Sequence, residues 1–217
     1  MNIKHQLSKM KNINLDKIFD FLKTAGKLKK TLRYKSSAKM PKESVADHTW
    51  RLALMSFMLA DELKLEINIT KAMKIALAHD LAEAITGDID ALLIYRKLVS
   101  PEAKKKGEGA AMKKLKAILP KKMGKKIMKL WQEYNDGSSA EAKYVYALDK
   151  IEALTYLSET GYKTYGDEKQ ADLIPIYADR AVANFKELKP VLKILKNKIK
   201  KEFRKGGLKW KKEYDKI

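Results

Sequence analysis

Cysteine is absent from the 217-residue chain. That absence excludes disulfides, thiolate zinc sites and a cysteine nucleophile, and it suits a reducing compartment. Long apolar runs are missing as well. The longest, over 52–60, contains Ser56 and falls far short of the ~20 residues that cross a bilayer. The opening Met1-Asn2-Ile3-Lys4-His5-Gln6 lacks the apolar core of a secretion signal, so a soluble cytoplasmic protein is expected, with no membrane partner. Arginine is scarce. It stands only at 33, 51, 96, 180 and 204, which leaves 42 of the 47 basic residues as lysine. A nucleic-acid surface is usually richer in arginine and interleaved with aromatics. The net charge of +20 is therefore expected to reflect lysine on solvated helix faces, with nucleic acid not the favoured partner. Histidine occurs three times.

What is present is helical patterning. Hydrophobic residues make up 45%, enough for a sizeable core in one domain. Leu15, Ile18, Phe19, Phe21 and Leu22 predict an amphipathic helix running toward Leu28. Residues 34–41 read as a loop, and 44–63 as a helix with Val45, Leu52, Met55 and Leu59 on one side. Thr70 is the expected cap of a helix over 71–85 that stops at Gly87. A short helix is expected within 88–99. Pro101 opens another that ends before Pro120, and 121–134 forms the next. The turn 135–139 offers Ser138 or Ser139 as cap for a long helix to about 157. A polar loop over 162–169 precedes a helical region from Asp172, interrupted at Pro190, and Gly206-Gly207 sets off a short basic end. No strand alternation or internal repeat is visible, so the expected fold class is all-α.

Two of the three histidines fall in a chemically suggestive order. His48 is followed by the doublet His79-Asp80 and, about seventy residues later, by Asp149. Two imidazoles and two carboxylates suit a divalent metal with open positions. His79-Asp80 lies in the apolar run Ile75-Ala76-Leu77-Ala78 and Leu81-Ala82, where such groups are costly to bury unless ligated or hydrogen-bonded. On a continuous helix His79 and Glu83 lie about 40° apart in projection, so both are expected to address one site together with Asp80. Asp149 belongs to the stripe Ala142, Tyr146, Asp149, Ala153 and Tyr156, small and aromatic apart from one carboxylate. A buried charge there is expected to face a cation.

These residues sit in Glu43-Ser44-Val45-Ala46-Asp47-His48-Thr49-Trp50-Arg51, Ala78-His79-Asp80-Leu81-Ala82-Glu83, Gly87-Asp88-Ile89, Ser138-Ser139-Ala140-Glu141-Ala142-Lys143 and Leu148-Asp149. In these stretches the chain resembles the HD-domain 5′-deoxynucleotidases, the YfbR-like proteins and the group called HD domain-containing protein 2. The resemblance covers about 28–157 and implies a helical HD fold. A single HD-domain helical bundle is expected over 1–170, with 171–217, outside the match, as a basic helical extension packed on the same domain. The resemblance further implies removal of the 5′-phosphate from deoxynucleoside monophosphates, a divalent metal held by His48, His79, Asp80 and Asp149, and a homodimer. Arg33 and Tyr34 occupy the places of a basic-aromatic pair expected to bind substrate. The family commonly has Trp where Tyr34 stands, which bears on deoxyribose-over-ribose selectivity. It also tends to have a small residue and Pro after Gly-Asp-Ile, where this chain has Asp90-Ala91-Leu92, so a loop of different shape is expected.

The chemistry is coherent without the family. A metal polarises a phosphoryl oxygen and lowers the pKa of water. Glu83 and Asp88 are the candidate catalytic groups, able to orient water or to hold a second metal, and Arg33 could grip a phosphate bidentately. Simpler roles stand beside these: Glu83 bonded to a ligand histidine, Asp88 capping a loop, Arg33 solvated at a helix end. Glu108 and Asp47 read as outer charges. Mixed N/O ligands admit Mn, Co, Zn, Ni, Fe or Mg. Two other readings remain open at this point. One is a nucleoside triphosphate or other phosphoester as substrate. The other is an acidic-surface or nucleic-acid binder that uses the basic amphipathic stretch 186–212, which is otherwise expected to pack on the core with its lysines outward.

Overall fold

The computed structural model describes residues 14–37, 39–165 and 172–216; His5 and the second half of the expected 162–169 loop lie outside them. Helices are the only regular elements among the described residues, apart from one isolated antiparallel bridge between Leu32 and Ser44. The all-α expectation holds.

Helix α1 spans Leu15–Ala25 and passes into a 3₁₀ turn over Gly26–Lys29. Helix α2 spans Val45–Glu62 and opens on a capping box, in which Ser44 Oγ accepts from the Asp47 N–H while the Asp47 carboxylate accepts from the Ser44 N–H. Helix α3 spans Ile69–Ala78, α4 Glu83–Thr86 and α5 Ala91–Tyr95. Helix α6 spans Pro101–Ile118, capped by Ser100 with Pro101 in its first turn. Helix α7 spans Lys121–Asp136 and ends at Gly137 in the left-handed region, φ 57°. Helix α8 spans Ala140–Thr160, capped by Ser139. A π-helical turn over Ile174–Asp179 leads into α9, Arg180–Ala183, and then α10, Lys189–Lys205.

Three expectations shift. The cap of α3 is Asn68, whose side chain accepts from the Lys71 N–H; Thr70 already lies inside the helix. Pro190 begins α10 instead of interrupting a helix, since proline is tolerated in a first turn; the break comes at Asn184 and Phe185. The expected helix over 71–85 is not continuous. It stops at Ala78, and the N–H groups of Leu81, Glu83, Ala84 and Ile85 donate to carbonyls three residues back. At ~3.0 residues per turn, positions i and i+4 stand roughly 120° apart, so the shared face expected for His79 and Glu83 does not form that way.

Helix α2 packs on α3, and both pack on α8, which in turn carries α10. The larger core joins Leu52, Ile75, Leu148, Ile151, Leu192 and Ile199, all fully buried. A second core lies under α1, α6 and α7 around Val45, Met112, Leu115 and Trp131. In α10 the apolar Leu192, Leu195, Ile199 and Phe203 face inward and most lysines face solvent, as a core-packed amphipathic helix requires. Lys196 is the buried exception, with Nζ 2.6 Å from Asp179 Oδ1. No described helix is long and apolar enough to cross a membrane.

Candidate metal centre and adjoining cavity

The Ser44 cap sets His48 in the first turn of α2, facing inward and fully buried. The end of α3 presents His79 and Asp80, and the middle of α8 presents Asp149. The donor atoms of His48, His79 and Asp149 all lie within 4.8 Å of one another, and Asp80 joins them through the two imidazoles. His48 Nε2 lies 3.3 Å from His79 Nε2, 3.2 Å from Asp149 Oδ1 and 3.8 Å from Asp80 Oδ2, and His79 Nε2 lies 3.0 Å from the same Asp80 oxygen.

The outer bonds decide what these atoms offer. His79 Nδ1 stands 2.7 Å from the Ala76 carbonyl oxygen, which can only accept, so Nδ1 carries the proton and Nε2 points a lone pair inward. His48 Nδ1 meets a Glu152 carboxylate oxygen, again an acceptor, so a neutral His48 also turns a lone pair inward. With His48 neutral, two lone pairs and two carboxylate oxygens point inward, and a divalent cation is the partner that such a donor set fits. The electrostatics agree. Burial and Arg33 oppose a charge on His48, yet Glu152 and Asp149 hold it up at about 9, so the pocket favours positive charge. Burial pushes Asp80 up, but His79 and His48 hold it far below the usual carboxylate range. Burial opposes ionised Asp149 too, and Lys150 and His48 keep it ionised.

Behind His48 lies a network that sequence reasoning missed. Glu152 is completely buried and accepts from Arg33 Nη1 at 3.2 Å and from Arg51 Nη2 at 2.5 Å. Glu43 accepts from Arg33 Nη1 at 2.8 Å and Arg51 Nη2 at 3.3 Å. Two arginines thus face these two carboxylates, with the exposed Glu159 a third partner of Arg51 at 2.7 Å, and His48 and the arginines hold Glu152 down at about 2 against its burial. The signal was available in part: Glu152 is one helical turn after Asp149, and Arg51 three residues after His48. Also missed was Tyr134, whose hydroxyl donates to Asp149 Oδ2 at 2.7 Å. Lys150 Nζ lies 2.5 Å from that oxygen, and together they leave Asp149 Oδ1 toward His48.

A cavity of about 340 Å³ opens beside this centre, with Asp149 in its wall. Arg33, Tyr34, Asp88, Lys104 and Lys150 line one part, and apolar residues including Met40, Leu154, Leu157, Leu173 and Ile174 line the rest. Arg33 is not a free cation, because Glu43 and Glu152 already pair with it. Tyr34 has left-handed backbone, φ 59°, and stacks on Tyr156 at 5.2 Å; its buried hydroxyl has no hydrogen-bond partner. Burial pushes Asp88 up to about 6, with Arg33 and Lys104 opposing. Burial pushes Glu83 up to about 10, assisted by Asp80 and Asp88; its Oε2 is buried without a partner. Asp47 is spent on the α2 cap, and Glu108 lies 3.5 Å from Lys104 Nζ. Where Asp90-Ala91-Leu92 departs from the family pattern, Asp90 accepts from the Leu92 N–H and starts α5.

A family model described as HD domain matches residues 25–189. The chain is similar to 5′-deoxynucleotidase HDDC2 of Bos taurus, 38% identical over 146 residues that cover 65% of this chain and 67% of that protein. It is 36% identical to the Homo sapiens protein of the same name over 146 residues, with 65% and 67% covered. Among solved structures, a "Predicted metal-dependent phosphohydrolase" from Magnetospirillum magnetotacticum MS-1 superposes with a TM-score of 0.68 at 26% identity, covering 89% of this chain and 97% of that one. PH0347 protein from Pyrococcus horikoshii OT3 gives a TM-score of 0.63 at 25% identity, with 84% and 98% covered. The match runs across most of the chain and takes in every residue of the converging centre: the chain belongs to the HD-domain family.

Proposed function

We propose that the chain is a metal-dependent 5′-deoxynucleotidase that releases phosphate from deoxynucleoside 5′-monophosphates. The observation that carries this reading is the convergence of four electron-pair donors at the wall of a cavity that is charged at one end and apolar at the other. The relatives named 5′-deoxynucleotidase support the substrate class.

In this reading His48, His79, Asp80 and Asp149 hold a divalent cation, one of Mn, Co, Zn, Ni, Fe or Mg. When bound, the cation supplies Lewis-acid activation of a phosphoryl oxygen and of water. Glu152 and the Ala76 carbonyl fix the two imidazole tautomers. Asp88, ionised above about 6, is suited to accept a proton at neutral pH. Glu83 retains its proton under the same conditions and is suited to give one to the leaving oxygen. The pair could also take a second metal. Arg33 and Tyr34 border the substrate, and the apolar wall of Leu154, Leu157, Leu173 and Ile174 excludes water around the nucleoside. Residues 1–170 would carry the chemistry, with 171–217 as a basic extension on the same core. The cations Lys104 and Lys150 favour a second reading, in which a nucleoside triphosphate or other phosphoester is hydrolysed.

The same proposal includes a homodimer, in a cytoplasmic setting that the cysteine-free composition suits. Its support is the outer face of α2, where Trp50, Leu54, Phe57 and Met58 are exposed on a helix without a single lysine. A self-associating face in a +20 chain must lack positive charge. Sedimentation of the wild type as a dimer and of Phe57→Glu as a monomer is the expected result.

The direct test is phosphate release by metal-stripped protein reloaded with each ion, on deoxy- and ribonucleoside mono- and triphosphates. Metal-restored release from deoxynucleoside monophosphates is expected. Turnover of triphosphates alone would replace the substrate assignment with the second reading.

A further inference from the structure

Three cationic side chains line the cavity: Arg33, Lys104 and Lys150. Two of them are matched at close range. Arg33 shares Glu43 and Glu152 with Arg51, and Lys150 Nζ is 2.5 Å from Asp149 Oδ2. Lys104 differs. It projects from the first turns of α6, and its paired carboxylate oxygens are Glu108 Oε1 at 3.5 Å and Glu83 Oε1 at 3.8 Å. Charge-assisted N–H···O bonds close to about 2.7–2.9 Å. The Lys104 ammonium is therefore held in place by attraction, with its three donors not drawn into short bonds.

Its surroundings call for a mobile cation. Asp80, Glu83, Asp88 and Glu108 all act on or beside this ammonium, and Lys104 in turn opposes the upward push on Asp88. A phosphate dianion approaching Asp80 and Asp149 must cross that field, and Arg33 commits its Nη1 to Glu43 and Glu152. We propose that Lys104 is a phosphate-binding side chain of the cavity, exchanging its long contacts with Glu83 and Glu108 for short ones to phosphoryl oxygens. A compact ammonium on a flexible stem suits such a move better than a guanidinium fixed between two carboxylates. The inference rests on the nucleotidase reading for its substrate, though not for its anion.

Inorganic phosphate titrated calorimetrically into the Mn-loaded protein tests it. Lys104→Met is expected to bind phosphate at least ~10-fold more weakly, the effect of one charged hydrogen bond, with metal content unchanged. Lys104→Arg should recover part of the affinity. Glu108→Gln removes a competing carboxylate and should tighten phosphate binding, which tests the idea by a change of opposite sign if Lys104→Met fails to fold. In turnover, the KM for the monophosphate should rise with the phosphate dissociation constant while kcat changes less. Wild-type phosphate affinity in Lys104→Met, or no phosphate binding by the wild type, overturns the proposal. Lys104-dependent phosphate binding without nucleotide turnover would leave Lys104 in place and remove the nucleotidase reading; turnover with Lys104-independent phosphate binding would do the reverse.

Discussion

The two sides of the converging centre are built differently. On the side of α2 and α8, every charge meets a counter-charge at short range: His48 with Glu152, and Glu152 and Glu43 with Arg33 and Arg51. On the side of α4 and α6, contacts are long and groups lack partners: Lys104 sits 3.8 Å from Glu83, and Glu83 Oε2 has no hydrogen bond. The first arrangement locks imidazoles in one tautomer and orientation, which is what ligands need. The second leaves carboxyls displaced from their ordinary pKa, Glu83 up to about 10 and Asp88 up to about 6, which is what proton transfer and substrate exchange need. Rigidity and readiness are thus divided between opposite walls.

The most severe break of this division is loss of the donors themselves. His79→Ala and Asp149→Ala are expected to drop phosphate release to background and to lose bound metal by elemental analysis, with helical circular dichroism retained. Next comes the loosely paired wall. Glu83→Gln should lower kcat by ~10²–10⁴-fold while metal content and thermal midpoint stay near wild type, because the group acts in chemistry. For the same wall, a base that must be ionised fails as it is protonated, so kcat/KM should fall as pH drops through about 6, and Asp88→Asn should remove that limb of the profile. The tightly paired wall should fail in the opposite manner. Glu152→Ala leaves His48, Arg33 and Arg51 without their carboxylate and should cost about 3–5 kcal/mol in denaturant unfolding. The milder Glu152→Gln should weaken metal binding by ~10–100-fold, read by competition with a chelator. Equal effects of Glu83→Gln and Glu152→Gln on stability would dissolve the contrast. The smallest change is expected for Tyr34→Phe, which deletes a hydroxyl that bonds to nothing in the protein. Its thermal midpoint should be unchanged, and only the ratio of deoxy- to ribonucleotide turnover should shift.

Much of this architecture is legible from short-range signals. Ser44 and Ser139 cap α2 and α8 because their side chains satisfy N–H groups three residues on, and Gly137 ends α7 because it takes the left-handed region without cost. His48, His79, Asp80 and Asp149 stand out because polar groups interrupt apolar or small-residue stretches. The break at His79 was not legible. Nothing in 71–83 resembles a stop signal, and the tight turn shows only in the three-residue hydrogen bonds of Leu81, Glu83, Ala84 and Ile85. Arg33 looked free to grip phosphate because its pairing with Glu43 and Glu152, 10 and 119 residues away, needs the loop before α2 and the middle of α8 brought to it.

The sequence by itself determined the helical class, most helix boundaries and the set of donors, since caps, propensities and amphipathic spacing act within a turn or two. Only the tertiary structure decided that the donor atoms of His48, His79, Asp80 and Asp149 meet. It alone also decided that Arg33 is closely paired and Lys104 only loosely, and that Leu173 and Ile174 complete the cavity wall. Those outcomes depend on how α2, α3 and α8 pack, and Coulomb and hydrogen-bond energies follow distance in space, which separation along the chain does not specify.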